Sequence, residues 1–163
     1  MAMAALIVSI ASALGALGSL IVAQKAFGFS EKAREETLNL NKRDLFLTLH
    51  EKLCTADQLW GRRVIREKIN SPQEAEQLRA SGHPDGQAAA GALAMLDMLS
   101  LYVDKGFVEK DLVLEEWGHV LADLDGNATI FIGNRAANRD RKPWVHFQDF
   151  SADAVKWARV NPR

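Results

Sequence analysis

From Met3 to Ala23 the chain carries no charged side chain and nothing more polar than serine. As a helix this run spans roughly 30 Å, the thickness of the hydrocarbon core of a bilayer. A helix also satisfies its own backbone hydrogen bonds where no water is available to do so. Residues 3–23 are therefore read as a transmembrane anchor, 24–29 as a juxtamembrane exit, and 30–163 as a separate folded domain. Two other readings compete. A cleaved leader ordinarily begins with a cation and has a shorter apolar stretch, although Ile21-Val22-Ala23 passes as a cleavage site. A buried core helix ordinarily keeps one polar face.

The flanks give the anchor a direction. Before it stands only the α-amino group, and after it come Lys25, Lys32, Arg34, Lys42 and Arg43. Positive charge stays on the cytoplasmic side. The expectation is a single-pass protein of a bacterial inner membrane, with the N-terminus outside and the C-terminal domain cytoplasmic. Within the anchor, Ala11, Gly15, Ser19 and Ala23 recur every four residues. Such a small-residue stripe lets two membrane helices approach closely, so self-association is a second expected role. The same residues are also simply common in membrane helices.

The remainder has the composition of a helical protein, with 4 prolines and 11 glycines in 163 residues. The predicted fold is an all-α bundle of about five to six helices. One helix carries Leu38, Leu45, Phe46, Leu49 and Leu53, and Thr55-Ala56-Asp57-Gln58 reads as a capping box opening the next. There, Trp60, Val64, Ile65 and Ile69 are expected inside, with Arg62, Arg63, Arg66 and Lys68 outside. A loop-like stretch over 70–86 contains a short polar helical piece near Glu74–Arg79 and a turn at Gly82–Gly86. Gln87–Val103 is almost wholly apolar, but Asp97 at its centre costs about 3 kcal/mol in a bilayer. It is therefore read as a central helix of the soluble core. Gly106 is its stop signal. The following helix is expected to end at Asp125-Gly126-Asn127. Thr129–Asn138 is read as helix rather than strand, because it lacks a strand partner. Pro143 is expected to open the last helix, which Ser151 divides or leaves whole.

That order of features resembles an uncharacterised family of small bacterial membrane-anchored helical proteins, a domain of unknown function. The likeness lies in Leu49-His50-Glu51-Lys52-Leu53, the arginine-bearing helix after it, the run from Met95 to Gly106, the Trp117 helix and the terminal Trp144–Phe147 segment. It implies an all-helical fold and a bacterial or phage origin, and it carries over no activity and no site residue.

Candidate chemistry is sparse. Glu116 and His119 form a Glu-x-x-His pair on one helix face, but the chain has no second such pair, as di-iron bundles require. The alternative for His119 is a surface or packing role. Asp123–Asn127 hints at a calcium loop, yet Leu121 and Ile132 would occupy positions that need oxygen ligands. No catalytic residue, metal site or cofactor is assigned. Cys54, the one cysteine, is expected to be a small buried apolar residue. Asp97 is expected in a structural ion pair, with Arg63 the arginine chosen, or as an acceptor for backbone and side-chain donors. Arg135, Arg139, Arg141 and Lys142 form a basic stretch that suits anionic headgroups, or a solvated loop. The net charge of −1 gives no basis for nucleic-acid binding. The expected partners are the lipid bilayer, a second copy through the anchor, and an unidentified protein. The expected function is a non-enzymatic interaction or regulatory domain on a membrane tether. The alternatives are an enzyme whose site forms on oligomerisation, or a lipid- or small-ligand-sensing helical module.

Overall fold

The computed structural model describes residues 34, 36–80, 82–137 and 142–163. The anchor, its exit and the stripe Ala11, Gly15 and Ser19 lie outside the described residues, as do Arg139 and Arg141. The chain divides into two units, 1–41 and 42–163. In the first, residues 36–41 are helical. The second is all-α, and no strand occurs among its described residues. Its elements are α1 (42–53), α2 (Ala56–Lys68), α3 (Pro72–Ala80), α4 (Pro84–Asp104), α5 (Lys110–Ala136) and α6 (Val145–Val160).

Each helix buries the stripe that its spacing dictates. In α1, Phe46, Leu49 and Leu53 fall at three- and four-residue intervals and enter the core. In α2 the buried stripe is Val64, Ile65 and, just past the end, Ile69. Arg62 lies three residues before Ile65 and seven before Ile69, so helical geometry carries it into the same stripe. It is only 6% exposed, whereas Trp60 is 42% exposed, which reverses the expected places of these two residues. The helix α4 contributes Ala89, Ala92, Leu93, Leu96 and Leu99, and packs against both α2 and α6. The run read as a central core helix thus has that place.

Two glycines set how closely the helices approach. A side chain on Gly61 would strike the Ala88 carbonyl and the Ala92 methyl, so α2 and α4 meet almost backbone to backbone. A side chain on Gly118 would meet the Trp157 ring, which lies flat in the space the glycine leaves on α5.

The helix boundaries differ from several sequence expectations, each for a local reason. Thr55 does precede α2, but its hydroxyl turns back to donate to the Lys52 carbonyl at 3.0 Å and makes no cap bond. The reciprocal arrangement occurs at α3 instead. The Ser71 hydroxyl accepts from Glu74 N–H at 3.3 Å, while the Glu74 carboxylate accepts from Asn70 N–H at 2.8 Å. The turn at 82–86 proves to be the start of α4, with Pro84 in the first turn and His83 Nδ1 accepting from Asp85 N–H at 3.2 Å.

The helix α5 passes straight through Asp125-Gly126-Asn127, because Leu124, Ala128, Phe131 and Ile132 continue its buried stripe on both sides. The polar residues there bond outward rather than stopping the helix. Asn127 Nδ2 donates to the Arg66 carbonyl at 2.9 Å, and Asp125 accepts from the Ser151 hydroxyl at 2.6 Å. Ser151 is buried and α6 runs through it unbroken.

Candidate functional site

The residues of chemical interest gather in two places. The first is the start of α6. Pro143 does not open the helix; Trp144 precedes its first turn at φ 53°, a left-handed conformation that costs a non-glycine residue about 1 kcal/mol. The Trp144 ring stacks on Phe131 with centroids 6.2 Å apart and 18° between planes. The Arg135 guanidinium lies 5.3 Å from both rings. These contacts hold the tryptophan where its backbone alone would not settle.

Trp144 has no side-chain oxygen for the orphan N–H groups of the first turn. Asp97 supplies one from α4, its Oδ1 accepting from Phe147 N–H at 2.9 Å. The carboxylate on an apolar helix is thus the N-terminal cap of a different helix, and also faces the positive end of its dipole. The expected ion pair with Arg63 is not formed. Arg63 reaches along its own helix to Glu67 at 3.5 Å, on an exposed face.

The second place is a groove along α2, about 560 Å³ in volume, between Leu59, Trp60, Arg62, Arg63, Arg66 and, from α5, Val120. Trp60 is set in position by its indole N–H, which donates to Asp85 at 3.2 Å, and by Lys68, whose ammonium lies 5.3 Å from its ring. Lys68 in turn donates to Asp85 at 2.6 Å. That contact, and more weakly the Trp60 N–H, hold the Asp85 carboxyl below the usual carboxylate range against the opposing effect of burial.

Arg62 is the unusual member of this wall. Its Nη1 donates to the Leu53 carbonyl at 2.8 Å and its guanidinium lies 5.0 Å from the Trp117 ring. No carboxylate pairs with it among the described residues. Burial holds its pKa below the ordinary arginine value, and the neighbouring charge of Arg66 acts in the same direction. Spacing alone placed these arginines together on the exposed side; it did not show that one of them is buried.

The remaining sequence candidates are scattered. Glu116 is exposed on α5, and His119 packs edge-on against Trp157 with centroids 5.2 Å apart. No group of three or more metal-ligating side chains converges among the described residues. Arg135 is not part of a loop but sits in the last turn of α5 against aromatic rings, while Lys142 is exposed. Cys54 is exposed rather than buried, because α1 ends just before it; its Sγ lies 3.6 Å from His50 Nε2. The His50 ring is wedged between Phe46 and Trp117, at centroid distances of 6.1 and 5.5 Å.

No protein-family model, curated protein or solved structure matches this chain.

Proposed function

We propose that the protein is a membrane-tethered interaction or regulatory module without catalysis of its own, its helical bundle held at the cytoplasmic face of a bacterial inner membrane. The observation that carries this reading is the uncharged run 3–23, followed by Lys25, Lys32 and Arg34 with no cation before it. A span of that length inserts, and that asymmetry of charge orients it. The bundle adds support of a different kind. Its apolar stripes are spent on one another, while Leu59 and Trp60 remain exposed beside arginines on α2, the residue types that contact surfaces favour. The family resemblance of the element order belongs to the same proposal.

Cys54 provides the test, being the one cysteine of the chain and exposed on the bundle. In a bacterial expression host, the chain should stay in the membrane pellet after alkaline carbonate washing. A membrane-impermeant maleimide should label Cys54 only after the inner membrane is opened. Release by carbonate would remove the tether, and labelling in spheroplasts with sealed membranes would reverse the orientation.

A further inference from the structure

We propose that the α2 groove is a binding site for a phosphate-bearing ligand whose ester portion lies against Trp60 and Leu59. Three arginines open onto one concavity of about 560 Å³, a size typical of small-ligand sites. Their charges are not matched from within. Arg63 has Glu67 at 3.5 Å, but neither Arg62 nor Arg66 has a carboxylate partner among the described residues. Arg62 and Arg66 stand four residues apart on one helix, where like charges oppose each other.

A buried guanidinium normally has a counter-charge, because leaving a charge unpaired away from water is costly. Arg62, at 6% exposure, has only one carbonyl acceptor and an aromatic face. The groove therefore presents two uncompensated positive charges, one of them already withdrawn from solvent. A phosphate monoester carries close to two negative charges at neutral pH, and its oxygens match the arginine fork in a bidentate manner. A monocarboxylate would leave one of the two guanidinium groups unmatched. The apolar side fits the same ligand class, since Leu59 and Trp60 are 53% and 42% exposed and border the arginines. Asp85 fixes Trp60 through its indole N–H, so this wall is set before any ligand arrives.

The full chain in nonionic detergent micelles, titrated calorimetrically, tests the site with three probes. These are phenyl phosphate, benzoate and dihexanoyl phosphatidic acid, a short-chain lipid that presents the same group as a headgroup. The expected result is saturable binding of a phosphate probe, with benzoate at least tenfold weaker. Arg66→Gln, an exposed change, should weaken that binding at least tenfold while far-UV circular dichroism stays unchanged. Trp60→Ala should weaken phenyl phosphate more than inorganic phosphate. Tighter binding of phosphatidic acid than of phenyl phosphate identifies a lipid headgroup as the source, and the reverse order identifies a soluble phosphate ester. Absence of saturable binding by both phosphate probes, equal binding of benzoate, or unaltered affinity in Arg66→Gln overturns the proposal. The tether could fail its own test with this result unaffected, because the groove lies wholly within residues 42–163.

Discussion

Asp97 illustrates how one residue's place follows from another residue's shortcoming. Trp144 occupies the cap position of α6 without a capping oxygen, and the α4 carboxylate fills that role at 2.9 Å. Removing it leaves the Phe147 N–H without its acceptor and removes a negative charge from the helix N-terminus. Asp97→Ala should therefore destabilise the protein by about 1–2 kcal/mol in urea unfolding. Arg63→Ala should change stability by less than about 0.5 kcal/mol, since its one carboxylate contact is exposed. Equal losses for the two would restore the discarded ion pair. Asp85 makes a prediction of the opposite kind, in pH rather than in kcal/mol. Its folded pKa is depressed, chiefly by Lys68, so its contribution is complete above the unfolded carboxylate value, about 4. That contribution is lost as pH falls from there through the lower folded value. Asp85→Asn should thus be the less stable protein at neutral pH, with a shallower loss of stability below about pH 4. A variant curve parallel to the wild type throughout would show that Asp85 keeps an ordinary pKa.

At the scale of elements, two glycines of equal helical propensity should behave in opposite ways. Gly61 faces the Ala88 carbonyl and the Ala92 methyl, which cannot move aside cheaply. Gly61→Ala should cost about 1–3 kcal/mol as α2 is pushed off α4, even after the gain in helix propensity. Gly126 faces open space in the middle of α5, so Gly126→Ala should stabilise by about 0.5–1 kcal/mol. Thermal unfolding of both variants decides the matter, and a shift of the same sign in the two would refute the packing argument. The same helices show what a sequence can and cannot disclose. Periodicity located α1, α2, α4, α5 and α6, because a 3.6-residue stripe is a local property. It failed at Asp125-Gly126-Asn127, where a strong turn signature was overruled by four buried residues and by partners on α2 and α6. It failed again at Thr55 and Ser71, which both fit a capping pattern, since whether a hydroxyl faces forward or back is decided by the chain around it. Trp60 and Arg62 exchanged places for a related reason. Residue type predicts the tryptophan inside, but the helical stripe and the Trp117 ring take the arginine. The α2 groove was accordingly legible only as a run of arginines, and its depth only from the fold.

For the whole molecule the open choice is between one membrane span and two, because α4 is also long and apolar enough to cross a bilayer by length and composition. The two topologies place the chain ends differently. With a single span at 3–23, Cys54 and Arg163 lie on the same side of the membrane. With α4 as a second span, they lie on opposite sides. Moving α4 into lipid would carry Asp97 to the hydrocarbon centre at about 3 kcal/mol. It would also strip the cap from α6 and part α2 from the surface that Gly61 fits. Leu93, Leu96 and Leu99 would gain nothing in return, since they are already fully buried in the bundle. The expected topology is therefore one span. A green fluorescent protein fused after Arg163 should fluoresce, and alkaline phosphatase at the same position should be inactive, in the same cells where Cys54 is shielded from impermeant reagent. Active phosphatase with Cys54 still shielded would place α4 in the membrane, and the packing of α4 against α2 and α6 could not then be the arrangement the protein adopts there.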